Sequence, residues 1–260
     1  MADPRPIGVF DSGLGGLTVL KALTQALPNE SFLYVGDVAR LPYGNKSPET
    51  IRRYGEQVLD FLVARGCKAL VIACNTASTV FIEESQHRGL PLHNVVGPGA
   101  RAAVAACPEG KIGVIATSTT VQGHAYRRAI HQYAPGREVL EVACPLFVPL
   151  AEEGMGDDEV TRILARRYLA PLQGVAALVL GCTHYPLLRP SISEAMRPTT
   201  ILIESGPVLA EDLRMSVPAA PANHARTLHV CTTDVTVAFE KLAARVMAPE
   251  VVPPLERVVL

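Results

Sequence analysis

Ala69-Leu70-Val71-Ile72-Ala73-Cys74-Asn75-Thr76 and Ala177-Leu178-Val179-Leu180-Gly181-Cys182-Thr183-His184 read as two copies of one arrangement. Each is an apolar run of strand length that ends in a cysteine followed by small polar residues. A strand apolar at every position, rather than at alternate ones, fits a parallel sheet covered on both faces. In such sheets ligands bind just past the carboxyl ends of the strands. The sequence therefore sets a thiol at a strand tip and repeats the arrangement later.

The flanking sequence repeats too. Ile7-Gly8-Val9-Phe10 is a strand, 11–16 the turn after it, and Leu17 to Leu27 a helix stopped by Pro28-Asn29. Phe32-Leu33-Tyr34-Val35 is a second strand, leading into a loop over 36–45. Ser47 and Pro48 mark the N-cap and first position of a helix running to about Arg65 and ending at Gly66. After the Cys74 strand the pattern predicts a helix over about Ala77–Arg88 and a fourth strand at Val95-Val96. A shift of about 105–108 residues reproduces the order: strands at 113–116 and 139–142, a helix from about Asp157 to Pro171, the Cys182 strand, and Ile201-Leu202-Ile203. A repeat of this size is a domain, not a solenoid unit. The expected fold is α/β: two similar lobes, each a parallel sheet flanked by helices, related by a pseudo-twofold with the active site in the cleft between them. Gly and Pro at 97–99 place the break there. A strand at 228–232 and a helix over Val235–Val246 have no counterpart, so they return to the first lobe. The first lobe is then residues 1–97 plus about 211–260, and the second 98–210. The Pro-rich end, 249–260, carries no readable pattern.

Composition excludes several classes. Lys+Arg 24 against Asp+Glu 25, a net charge of -1, argues against nucleic-acid or membrane-surface partners. No apolar run approaches the ~20 residues of a membrane span, and the start lacks the apolar core of a signal peptide. The six cysteines are scattered without a C-x-x-C pair, which points to reduced thiols in the cytoplasm rather than a disulfide framework.

Two matching strand tips facing each other across a cleft put Cys74 and Cys182 on opposite walls. That geometry suits taking a proton from one face of a tetrahedral carbon and returning it to the other, which is racemisation or epimerisation. The alternative, buried structural cysteines, explains either thiol singly but not the repeat. Asp11 at the first strand tip and His184 beyond Cys182 are groups able to hold a thiol's proton. Asp11 also reads as an N-cap, and His184 as a surface histidine. Glu152 and Asp37 are further carboxyls on loops after strands. The Gly13–Gly16 turn is neither G-x-G-x-x-G nor a P-loop, but bare amides at a helix start bind anions. Ser12, Asn75, Thr76, Thr183 and the Pro42-Tyr43-Gly44 loop are neutral donors suited to a small zwitterion. No lysine sits at a strand tip where a pyridoxal Schiff base would form, and the His and Cys spacings match no metal site; the expected cofactor and metal complement is none.

Taken together, Gly8-Val9-Phe10-Asp11-Ser12-Gly13-Leu14-Gly15-Gly16-Leu17-Thr18, Leu41-Pro42-Tyr43-Gly44, Ala73-Cys74-Asn75-Thr76-Ala77 and Gly181-Cys182-Thr183-His184-Tyr185-Pro186 resemble the aspartate/glutamate racemase family, on its glutamate side. The resemblance runs from about Ile7 to Leu213. It implies cofactor-independent interconversion of L- and D-glutamate, supplying D-glutamate for peptidoglycan. It further implies that Cys74 deprotonates the D-enantiomer and Cys182 the L-enantiomer, with Asp11, His184 and Glu152 assisting. Substrate contacts fall on Asp11, Ser12, Pro42, Tyr43, Gly44, Asn75, Thr76, Thr183 and His184, and on Thr117 and Thr120 in the second lobe. A homodimer is expected, with DNA gyrase binding as a possible secondary role. Six residues precede Ile7, so the activation by a cell-wall precursor that accompanies a long N-terminal extension is not expected. Ile203-Glu204-Ser205-Gly206 departs from the aspartate-containing form of many members. The rivals are an aspartate racemase, a non-catalytic binding protein and a one-thiol cysteine hydrolase.

Overall fold

In the computed structural model, which describes residues 2–260, the first apolar run becomes strand β1 (Ile7–Asp11), buried at all five positions. Helix α1 (Leu17–Ala26) and strand β2 (Phe32–Gly36) follow. Helix α2 (Pro48–Ala64) starts where the Ser47 hydroxyl accepts the Thr50 amide at 3.3 Å, with proline at the position that has no amide partner to lose. Strand β3 (Ala69–Ile72) stops two residues short of Cys74. Cys74 instead caps a one-turn helix, α3 (Asn75–Ser78), its sulfur accepting the Ala77 amide at 3.4 Å.

Beyond that turn the sequence reading fails. The helix expected over about Ala77–Arg88 is absent. Phe81 is drawn into the core against the α2 face, and the chain then forms a hairpin of β4 (Gln86–His87) and β5 (Leu90–Asn94). Its turn residues Arg88 and Gly89 have φ of 49° and 78°, the sign pair of a type I′ turn. The strand expected at Val95-Val96 lies earlier. It ends at Asn94, whose side chain accepts the Val96 amide at 3.1 Å and so opens helix α4 (Val96–Ala106). The Gly/Pro stretch read as a break is the first turn of this helix, where proline is tolerated.

The second half runs β6 (Ile112–Ala116), α5 (Ser118–Gln122), α6 (Ala125–Tyr133), β7 (Val139–Ala143), α7 (Phe147–Glu152), α8 (Glu159–Leu169), β8 (Ala177–Gly181), α9 (Arg189–Ala195), β9 (Ile201–Ile203) and α10 (Ser205–Ser216). The chain ends with β10 (Leu228–Thr232), α11 (Val237–Met247) and β11 (Glu256–Arg257).

One sheet has the order β11-β10-β2-β1-β3-β5-β4, the other β7-β6-β8-β9. Their nuclei, β2-β1-β3-β5 and β7-β6-β8-β9, are the same parallel pattern, so the sequence repeat is a structural one. Beside the central strand of each nucleus the order changes direction, and there the crevice opens at the carboxyl edge. Cys74 follows β3 and Cys182 follows β8, each next to that central strand. Strand β10 pairs with β2, carrying the unrepeated segment back onto the first sheet. The tail that carried no readable pattern adds β11 to the edge, where Glu256 also pairs with Arg65. Two buried apolar clusters flank each sheet, which is why their central strands are apolar throughout.

Lys68, at the start of β3, is buried and ties three segments together. Its ammonium donates to Glu30 Oε2 at 2.6 Å and to the carbonyls of Asp3 and Pro218, both at 2.7 Å. Glu30 Oε1 accepts the Ala220 amide at 2.7 Å. Replacing Lys68 by methionine strands a buried carboxylate. The expected loss is about 3–5 kcal/mol of unfolding free energy, read from urea denaturation, because breaking a buried pair leaves its partner uncompensated.

Candidate active site

Asp11 is the last residue of β1 and is completely buried. Its Oδ2 accepts the Gly13 amide at 2.9 Å, while Oδ1 has no hydrogen-bond partner. It does not cap α1, where Gly16 stands at the N-cap without a side-chain bond. Burial raises the Asp11 pKa, and nearby His184 and the Gly13 and Gly16 amides pull the other way. Cys74 donates to the Ser12 hydroxyl at 3.3 Å rather than to Asp11. Burial pushes the Cys74 thiol up to about 12, and the Asp11 charge adds to the rise. The Ser12 and Ala77 hydrogen bonds only partly offset them. Without a ligand Cys74 is therefore a neutral thiol at physiological pH.

The second thiol has different company. Cys182 Sγ lies 3.8 Å from His184 Nδ1, and His184 Nε2 lies 3.1 Å from Glu152 Oε1. Glu152 is the last residue of α7, not a loop residue. Burial works against charge on His184, but its bonds to Cys182 and Glu152 prevail and carry its pKa up to about 10. His184 is accordingly protonated across the neutral range. An imidazolium facing a sulfur favours the thiolate and holds a proton ready for it. The two thiols thus have unlike surroundings: one is buried beside an acid, the other beside a cation.

Both line one cavity of about 190 Å³, along with Ser12, Asn75, Thr76 and Thr183. That is the liquid volume of about six waters, below the 300–1,000 Å³ of drug-sized pockets, and suits a small ligand. The Pro42-Tyr43-Gly44 loop forms part of the wall, as does Thr117. Thr120 lies behind it: its hydroxyl is 3.0 Å from that of Thr117 and 3.3 Å from that of Thr76, closing a buried triangle between the two halves. Asp11 and Glu152 are not part of the cavity lining either. Asp37 is buried and anchors the loop, accepting from Tyr43 Oη at 2.5 Å, Arg40 Nε at 2.6 Å and Thr233 Oγ1 at 3.0 Å. Among the described residues no group of three or more His, Cys, Asp or Glu is placed to hold a metal ion.

Three features escaped the sequence reading. Pro145, Val148 and Pro149 form an apolar wall beyond β7, a strand whose tip the strand-end rule also covers. Tyr126 donates to Asn75 Oδ1 at 2.5 Å, so this second-half tyrosine fixes a first-half cavity residue. Gly15 is a point of close approach between loops. A β-carbon there would stand 2.3 Å from Thr183 Oγ1 and 2.5 Å from His184 Nδ1, so the glycine lets the two strand-tip loops touch. Beside it, Thr18 Oγ1 donates to the Thr183 carbonyl at 2.9 Å.

The model of the Asp/Glu/Hydantoin racemase family matches residues 7–213. The chain belongs to this family. It is an amino-acid racemase, an isomerase. The glutamate racemase of Geobacter metallireducens is 46% identical over 248 residues, 93% of this chain and 92% of that one. The crystal structure of glutamate racemase from Francisella tularensis in complex with D-glutamate has a TM-score of 0.90 at 34% identity, covering 98% of both chains. That from Thermus thermophilus in complex with β-chloro-D-alanine has a TM-score of 0.87 at 40% identity, covering 100% of this chain and 99% of its own. Among the described residues, no helix of the racemase is long and apolar enough to cross a membrane.

Two outcomes are expected from this geometry. Gly15→Ala should displace His184 and cut the racemase's turnover at least about tenfold, a barrier change of roughly 1.4 kcal/mol, with circular dichroism showing an intact fold. Glu152→Gln keeps an acceptor for His184 but removes the negative charge that helps raise its pKa. Its proton is then lost at a lower pH than about 10, and the alkaline limb of the pH–rate profile should move toward neutral.

Proposed function

We propose that this racemase interconverts L- and D-glutamate by a two-base reaction in which Cys74 and Cys182 exchange one Cα proton for another, without a cofactor. The observation that carries the reading is that both cysteines line one small cavity between the two sheets. Substrate choice follows from the relatives, named as glutamate racemases at 46–48% identity over most of the chain.

In the L-to-D direction Cys182, reacting as a thiolate beside His184, removes the Cα proton. Cys74 delivers its own proton to the opposite face. The products are the inverted amino acid, a Cys74 thiolate and a Cys182 thiol, so proton count is conserved. In the reverse direction the roles exchange: Cys74 gives its proton up to Asp11 and takes the Cα proton, while Cys182, protonated from His184, delivers one to the opposite face, and the proton left on Asp11 makes good the one His184 gave. A Cα proton is far less acidic than a thiol, so the carbanionic transition state needs donors fixed in advance and exclusion of water. Ser12, Asn75, Thr76, Thr117 and Thr183, with the Pro42-Tyr43-Gly44 loop, are the neutral donors for the substrate carboxylates. Thr120 holds Thr76 and Thr117 in place. Neutral donors leave the Cα region without a cation that would compete with His184.

With this reading go a cytoplasmic enzyme supplying D-glutamate for peptidoglycan, a homodimer, and DNA gyrase contact as a secondary role that a Cys74→Ala protein would retain. The lobe division at residues 1–97 plus about 211–260 and 98–210 belongs to it as well. It is supported by the sheets, which draw on residues 7–94 with 228–257 and on 112–203. The second boundary then falls within α10, whose residues Leu209 and Leu213 pack in the first sheet's core.

Incubation of either enantiomer in D2O with no additive tests this. Loss of optical activity and deuterium at Cα are expected from both starting materials, and Cys74→Ser and Cys182→Ser should each abolish full turnover. Racemisation surviving either substitution contradicts a two-base reaction.

A further inference from the structure

Helix α7 ends in a complete Schellman motif. The Met155 amide donates to the Leu150 carbonyl at 2.9 Å, and the Gly154 amide to the Ala151 carbonyl at 3.1 Å, with Gly154 at φ +81°. A second donor reaches the same Ala151 carbonyl. Arg245, on α11 at the far end of the chain, donates to it from Nη2 at 3.2 Å. A β-carbon at Gly154 would fall 2.2 Å from Arg245 Nη1, so the glycine is needed for the bend and for the room the guanidinium occupies. The cation thus sits at the carbonyl end of α7, where the helix dipole favours it. The next residue after Ala151 is Glu152, the carboxylate that holds His184.

We propose that Arg245 is a positioning residue for the reaction: by clamping the Ala151–Glu152 peptide from the first sheet's C-terminal helix, it sets the line Glu152–His184–Cys182. Two facts set it apart from an ordinary surface arginine. Its hydrogen bond goes to a helix-terminal carbonyl one residue from the His184 partner, and it joins segments 94 residues apart in sequence that pack in the cores of different sheets. The groups facing His184 are Glu152, Cys182 and Asp11, so Arg245 acts on it through Glu152 and not by direct charge. The inference rests on the two-thiol reading above.

The test is a double-mutant cycle of Arg245→Met and Glu152→Gln in the full-length enzyme, with kcat, KM and the pH profile of D- and L-glutamate racemisation as readouts. The expected result for Arg245→Met is a fall in kcat of about tenfold, KM within about twofold, and an alkaline limb moved toward neutral, in the same direction as Glu152→Gln. Arg245→Lys, which keeps a donor and the charge, should recover part of the loss. In the double variant the Arg245→Met effect should largely vanish, since the Glu152 charge that the clamp positions is gone. An Arg245→Met enzyme with wild-type kcat and pH limb, or one whose loss adds fully to that of Glu152→Gln, overturns the clamp while leaving the two-thiol reading standing. A Glu152→Gln enzyme with unchanged kcat and pH profile overturns the role of Glu152, and the clamp with it. Arg245 is exposed, so the variants should fold; a Met variant with wild-type melting temperature but reduced kcat separates positioning from stability.

Discussion

The structure depends on one constraint: a parallel strand buried on both faces has polar room only at its ends. Apolar side chains occupy β3 and β8 along their whole length, so chemistry is confined to the residues just beyond them. Two sheets with the same strand order bring two such ends to one crevice. The thiols meet at a common cavity because the β3 and β8 tips do, and that follows from packing rather than from any bond between the cysteines. Contacts across the crevice then fix its width: the Gly15 approach to Thr183 and His184, the Thr76–Thr117–Thr120 triangle, and the Tyr126–Asn75 bond.

Within that shared frame the two halves differ where the chemistry is asymmetric. Near Cys74 the surroundings are an acid and hydroxyls, and the thiol keeps its proton. Near Cys182 they are an imidazolium backed by a carboxylate. In the proposed two-base exchange one sulfur gives a proton while the other takes one, a division of labour that unlike surroundings suit. On that proposal, divergence at positions 11, 152 and 184 tunes the repeat while the strand order stays the same. Buried Asp11, with one oxygen lacking a partner, and buried charged His184 are each unfavourable for the isolated fold. The interlocked core around them, including the Lys68–Glu30 anchor, offsets that cost.

What was legible in the sequence has a physical pattern. The central strands, the glycine turn and both cysteines could be read because periodicity and strand-end position act locally. Ser47 and Pro48 announced their helix for the same reason. The stretch after Cys74 could not be read. There Phe81 trades a helical path for burial, and only the folded α2 face makes that burial available. Asn94 ended a strand through a side-chain bond that spacing does not reveal. The last strand, two residues long, exists only because β10 offers an edge. The close approach at Gly15 gave no signal, because its neighbour Thr183 is remote in sequence. Arg245 had no signal, since its partner is a backbone carbonyl in another lobe.

The most direct test is the crystal structure of the enzyme with D-glutamate bound, refined to show both sulfurs and the ligand's Cα. The expected result places Cys74 Sγ and Cys182 Sγ on opposite faces of one Cα, each at about 3–4 Å, the range of a near-attack contact. A complex in which the ligand's Cα touches only one sulfur, or sits outside the cavity that the two share, would contradict it.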